Sequence, residues 1–213
     1  MLKCKGWNAM KVLRIYPTSI NERHIQEAAE ALREGHLIIY PTDTLYAIAC
    51  SALDQGAIER LCKIKGINPQ KESLSIVCAD ISQASEYARI DNKAFRMLRD
   101  NLPGPFTFIL PASTSLPKVF KGRKTVGVRV PANDISTALA AELGNPLLTT
   151  SVQPDSENTL ESVSNPDCVA LNYAGVVDVM IDGGDVPGIP STIVDMTDSS
   201  SPEILREGAG ELM

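Results

Sequence analysis

Six short clusters in this chain combine hydroxyls, amides and cations in ways that suit anions and small polar ligands. The run 40–46, Tyr-Pro-Thr-Asp-Thr-Leu-Tyr, places Thr42, Asp43 and Thr44 directly after an apolar stretch. Ligands of α/β proteins sit at such strand ends, and two hydroxyls with a carboxylate can hold an amino acid. An ordinary polar turn has the same composition. Lys63-Ile64-Lys65-Gly66 closes a helical segment. Its lysines either complement the helix dipole or present a point charge, Lys65, to phosphate oxygens. Arg129 stands in a strand pattern of Val and Gly, two residues before Pro131. Such an Arg is either solvated or kept for an anion. Thr149, Thr150, Ser151 and Gln153 follow an apolar strand, as phosphate-binding groups or as a polar cap. Residues 183–192 join a glycine-rich loop to Ser191 and Thr192. Glycines let backbone N–H groups converge on an anion, although the Gly-Lys-Ser/Thr ending of a P-loop is missing and a hairpin loop is the alternative. Arg206, within Leu-Arg-Glu-Gly, completes the set as a phosphate clamp.

These groups need a scaffold, and the hydrophobic periodicity supplies one. Ser19-x-x-Glu22 reads as a capping box opening a helix with Ile25, Ala28, Ala29 and Leu32 inward, ended by Gly35. Residues 37–40 read as a buried strand and 55–64 as a helix. A strand follows at 74–78, and Asp91 caps a helix presenting Phe95 and Leu98. Strands are expected at 106–110 and 126–130, then a helix capped by Asp134 and ending at Gly144. Further strands are expected at 147–150, 176–181, 193–196 and 204–206. Strands and helices alternate, yet some strand pairs leave no room for a crossover helix. The expected architecture is therefore α/β, a twisted mixed sheet with flanking helices.

Composition bounds the rest. The 213 residues carry 20 basic and 26 acidic side chains, a net charge of −6. That balance opposes a surface coated in nucleic acid, although 63–71 and 118–124 are locally basic. The five cysteines are odd in number and lack C-x-x-C spacing, which points to reduced thiols in the cytosol. Cys50, Cys62 and Cys78 sit in apolar patterns and read as core. The two histidines stand apart from other ligand types, so no metal site is expected. No apolar run is long enough for a membrane span. Met10 begins a cleaner start, so 1–9 reads as a tail and 10–213 as one domain.

As an ordered set, PTDTLY (41–46), PGPFTFIL (103–110), TVGVRVP (125–131), TTS (149–151), IPSTIVD (189–195) and LREG (205–208) resemble the YrdC/YciO family, whose active members are threonylcarbamoyl-AMP synthases. The resemblance implies a YrdC-like fold with a large basic cavity. It also implies use of L-threonine, bicarbonate and ATP with Mg²⁺, feeding the t6A modification of tRNA adenosine 37. By position, Thr42, Thr44 and Thr107 would face threonine. Arg129, Thr149, Ser151, Ser191, Thr192 and Arg206 would face the nucleotide. Lys65 and Ser151 would act at the reacting centre.

Three departures stand out. Active members carry Lys-x-Arg where this chain has Lys65-Gly66-Ile67, and Ser-x-Asn where it has Ser151-Val152-Gln153. Ala47 and Ala49 replace glycines. All three resemble the YciO branch. The expectation is an ATP- and threonine-binding protein of weak or lost synthase activity. The competing reading is a non-catalytic paralogue that binds nucleotide or double-stranded RNA.

Overall fold

The computed structural model describes residues 10–68, 74–116, 124–157 and 159–213; the proposed tail 1–9 lies outside them. In chain order the elements are β1 (Lys11–Arg14), α1 (Glu22–Arg33), β2 (Ile38–Tyr40), β3 (Ala47–Ser51), α2 (Gln55–Lys65), β4 (Ser75–Val77), α3 (Ile81–Tyr87), α4 (Asn92–Asn101) and β5 (Phe106–Pro111). They continue with β6 (Thr125–Arg129), α5 (Asp134–Leu143), β7 (Leu147–Ser151), α6 (Glu161–Ser164), α7 (Pro166–Tyr173), β8 (Val179–Asp182), β9 (Thr192–Asp195) and β10 (Glu203–Arg206).

The described strands form one sheet in the order β1-β8-β2-β3-β7-β4-β6-β5-β9-β10. Pairs β1/β8, β8/β2, β4/β6 and β5/β9 are parallel and the rest antiparallel, so the sheet is mixed.

Caps explain where the helices begin. Asn21, not Ser19, opens α1: its side chain accepts from His24 N–H. Ser19 is held in a turn, donating its own N–H to Tyr16 O at 2.9 Å, so the expected capping box is displaced by two residues. Asn133 rather than Asp134 caps α5 by accepting from Ser136 N–H. Asp91 caps α4 with bonds from Lys93 and Ala94 N–H. The buried face of α4 is Ala94, Leu98 and Asn101; Phe95 falls one position aside and is 46% exposed, against expectation.

Alternation along each strand sorts side chains between two faces. One face carries Phe106, Phe108, Leu110, Val126, Val128, Ile76, Leu148 and Val194 into the larger core, with Ile58 and Leu61 of α2 and Leu98 of α4. The other face begins apolar. Ile38, Tyr40, Ala49, Leu147 and Val77 pack with Ile25, Ala28 and Leu32 of α1 and Ile135 and Leu139 of α5. Farther along the strand order it turns polar, and that change creates the site.

Candidate functional site

Register fixes which residues share the polar face. Ala49, Thr149, Ser75, Gly127 and Ile109 form one row across five strands. Side chains in one row point the same way. Arg129, two residues beyond Gly127, shares that face, as does Thr107, whose Cγ2 lies 3.2 Å from the place a Gly127 Cβ would occupy. Ser75 Oγ would lie only 2.6 Å from that Cβ. Glycine at 127 therefore keeps the floor of the site low. Ser75, Ile109, Ser151 and Ile193 are partly exposed, whereas Arg129, Thr107, Thr149 and Ser191 are buried.

Arg129 is held from behind. Its Nη2 donates to Asp43 Oδ1 at 2.9 Å and to Thr44 Oγ1 at 3.0 Å. Asp43 Oδ2 accepts the Ala132 N–H at 2.9 Å. The carboxylate therefore locks both the guanidinium and the turn after its strand. The Nε–H of Arg129 is buried and has no partner. Buried donors are satisfied in the great majority of cases, so an orphan on a guanidinium marks a place where an acceptor belongs.

Hydrogen-bond accounting separates the threonines. Thr42 Oγ1 donates to Leu45 O at 2.7 Å, and its two lone pairs are shared among Thr44 N–H, Leu45 N–H and the Thr44 hydroxyl. Its hydroxyl is thus engaged within the turn that it shapes. Thr44 Oγ1 gives its proton to Thr42 and accepts from Arg129. Its remaining lone pair suits a donor such as an ammonium. Thr149 Oγ1 accepts from Tyr40 Oη at 3.0 Å. Burial pushes the Tyr40 phenol up to about 12, so it stays a donor. Thr107 and Ser191 hydroxyls meet at 2.9 Å. One proton serves that bond and the other is available to an acceptor. Thr192 leaves the expected set: it pairs with Phe106 on the core side, donates to Gly210 O and accepts from Gly208 and Gly210 N–H. Its hydroxyl ties down the chain after β10.

Arg206 reaches the site through a β-bulge. Ile204 pairs with Val194, which faces the core, while Arg206 pairs with Ile193, the cross-strand partner of Thr107. Leu205 is the extra residue. In an unbulged register Leu205 would pair with Ile193, and Arg206 would fall opposite Thr192 and face the core; bulges re-aim side chains in this way. Arg206 Nη2 donates to Ser191 O at 2.7 Å. Its guanidinium is pushed down by partial burial and by the charge of Arg129. Two guanidiniums that repel each other across one face form a field for an anion.

Lys65 comes from the far side, at the end of α2. Its Nζ donates to Ser151 O at 2.6 Å, and burial pushes its ammonium down. The turn that follows is tightly built. Gly66, at φ 69°, donates to Lys63 O at 3.3 Å, and Ile67 N–H donates to Cys62 O at 3.0 Å. That is a Schellman motif, in which the residue after the glycine makes an apolar contact with the last turn. Ile67 packs against the larger core accordingly. Gln153 is exposed, and its backbone N–H donates to Tyr173 Oη at 2.8 Å.

The glycine-rich loop is not a nest. Gly183 N–H goes to Tyr46 Oη, Gly184 N–H to Asp182 Oδ1, Val186 N–H to Ser164 O and Gly188 N–H to Thr44 O. Nor is it a hairpin, since β8 and β9 lie far apart in the sheet. It is a strap laid over residues 44–46. The sequence offered the Asp43 carboxylate to an amino-acid ligand; the structure instead engages it with Arg129 and the Ala132 N–H. Tyr46 stood in the same cluster without a role of its own, and Ser75 was not singled out. Lys71, Lys118 and Lys121 of the basic stretches lie outside the described residues. The described residues contain no helix long and apolar enough to cross a membrane.

The model of the Sua5/YciO/YrdC family, described as telomere recombination, matches residues 30–208. YciO of Escherichia coli (strain K12) is 39% identical over 93% of this chain and 95% of its own. The crystal structure of E. coli YciO superposes with a TM-score of 0.85 at 38% identity, covering 95% of this chain and 97% of that one. The threonylcarbamoyl-AMP synthase of Pyrococcus abyssi is 34% identical over 89% of this chain, which spans 55% of the synthase. The crystal structure of P. abyssi Sua5 complexed with L-threonine superposes with a TM-score of 0.81 at 32% identity over 92% of this chain and 57% of that one. The synthase of Halorhodospira halophila is 30% identical over 78% of this chain and 86% of its own.

Proposed function

Because the chain belongs to the Sua5/YciO/YrdC family, we propose that it binds ATP together with an L-threonine-like amino acid on the polar face of its sheet, and that it makes threonylcarbamoyl-AMP slowly. The observation that carries this reading is the buried, unpartnered Nε–H of Arg129 beside a second guanidinium, Arg206, on one face. Such a pair supports a polyanion better than any neutral ligand.

In this proposal Arg129 Nε–H, Arg206 and the spare proton of the Thr107–Ser191 pair hold phosphate oxygens. The Thr44 lone pair orients the amino acid's nitrogen. Lys65 draws negative charge toward Ser151. Threonine's amine and bicarbonate give a carbamate and water. A carbamate oxygen then bonds to the α-phosphorus of ATP, the bond from that phosphorus to its bridging oxygen breaks, and pyrophosphate leaves. Magnesium enters with the triphosphate as part of the substrate. Among the described residues no group of three or more His, Cys, Asp or Glu could hold a resident ion, and Asp43 is already engaged by Arg129 and Ala132.

The slow rate follows from Ile67. A fixed guanidinium facing developing charge is worth about 2.7–4 kcal/mol of transition-state stabilisation. The Schellman turn turns this position toward the core instead. Calorimetry with Mg-ATP, with and without L-threonine, tests binding; an assay of pyrophosphate and threonylcarbamoyl-AMP tests turnover. Absence of ATP binding would sink the reading.

A further inference from the structure

An open sheet has two edges, and they are built differently here. The β1 edge carries Lys11 and Arg14, which pair inward with Glu27 and Asp182. Both charges on that four-residue strand are cations, one on each face. Charged edges of this kind prevent strand addition.

The β10 edge reads Glu203-Ile204-Leu205-Arg206, and all four residues are exposed. Ile204 is 47% and Leu205 52% exposed. Laid antiparallel on a second copy about a twofold axis between residues 204 and 205, the segment is self-complementary. Glu203 meets Arg206, and Ile204 meets Leu205. In a regular strand residues three apart point to opposite faces, and these charges could not share one. The bulge changes that. Glu203 pairs with Asp195 and Arg206 with Ile193, both on the polar face, whereas Ile204 pairs with Val194 on the core side. A bulge can also guard an edge by breaking its period. Here it brings opposite charges onto one face, with Ile204 on the other and Leu205 as the bulged residue between them.

We infer that β10 is a homodimerisation edge, on which a second copy of this chain adds its own β10 antiparallel to extend the sheet. The interface is isologous, as twofold contacts are. It is also short, so association is weak. Two ion pairs of Glu203 with Arg206 flank two contacts of Ile204 with Leu205. Because Arg206 also lines the polar face, the dimer would bring the partner's Glu203 to the rim of the ligand site.

Sedimentation of the full chain tests this, over concentrations up to about 1 mM, the range in which weak contacts of about −4 kcal/mol are populated. The weight-average mass should rise toward twice that of the monomer. Glu203→Arg alone and Arg206→Glu alone should each stay monomeric, since each sets like charges opposite. Mixing the two variants should restore the dimer as a heterodimer, and so should the double substitution. Ile204→Lys, with a wild-type melting curve as its folding control, should also stay monomeric. A wild type that is monomeric throughout would overturn the inference. So would single variants that dimerise as well as wild type, or a mixture of the two that does not. ATP binding plays no part in the readout, so the outcome is independent of the proposed function.

Discussion

The carboxylate of Asp43 grips the Arg129 guanidinium with Oδ1 at 2.9 Å and the Ala132 N–H with Oδ2 at 2.9 Å, with both side chains only 7% exposed. Asp43 is thus a positioning residue for a cation that the sequence alone left undecided between solvent and ligand.

Removing that grip should be costly. Breaking a buried pair by removing one partner strands the other charge, at about 3–5 kcal/mol. Asp43→Ala is expected to lose stability in that range by urea unfolding. Arg129→Met, which leaves no buried cation, is expected to lose less while abolishing ATP binding. Equal stability of Asp43→Ala and wild type would show that the pair does not hold the turn.

Arg206→Ala separates binding from folding. The side chain is exposed and, among the described residues, anchored to Ser191, so unfolding should change little. Mg-ATP affinity should fall by about 1.5–3 kcal/mol, the range for a hydrogen bond to a charged group. Calorimetry that finds wild-type affinity would remove Arg206 from the site.

Lys65 predicts a pH signature with opposite signs in two measurements. Burial holds its ammonium below the ordinary 10.5, so the unfolded chain binds the proton more readily. Its contribution to stability therefore improves as pH rises through the window below 10.5. Binding an anion needs the charge, so ATP affinity should fall across the same window. Lys65→Met should flatten both trends and weaken binding at pH 7 roughly tenfold to hundredfold, the loss of one charge-assisted contact. An alkaline limb of binding that survives in Lys65→Met would assign it to another group.

Ile67→Arg with Gln153→Asn tests catalysis. The wild type should turn over about 10²–10³-fold more slowly than an intact synthase assayed beside it, as for a lost oxyanion donor. The double variant should gain activity and lose stability, because Ile67 closes the Schellman turn against the core. Wild-type turnover equal to the intact synthase would show that Ile67 does not limit the rate.

The sequence carried the strands with strong alternation and the helices with strong caps. It missed the four-residue β1; β3, whose Ala47, Ala49 and Ser51 lack β-branched bulk; and the short α3, α6 and α7, where one or two turns give too few repeats to show a period. For the site, residue types located the cationic groups, but not which hydroxyls were already engaged. Thr42 and Thr192 look like Thr44 and Thr107 in the chain. Only the fold reveals that their hydroxyls are engaged. A bulge is equally silent in sequence, so the face reached by Arg206 could be read only from its pairing with Ile193.

If the proposed function holds, the orphan Nε–H of Arg129 makes the protein its own ligand detector. A buried donor without a partner costs the fold about 1–3 kcal/mol. A ligand acceptor placed there removes that cost at the moment it binds, so recognition and heat resistance rise together. At a hundred times its dissociation constant a ligand adds about 2.7 kcal/mol to the unfolding free energy. For a chain of this length each kcal/mol is worth about 2–4 °C. Amino acids, nucleotides and their carbamoylated conjugates can accordingly be ranked by melting temperature alone, whichever bond the site makes or breaks.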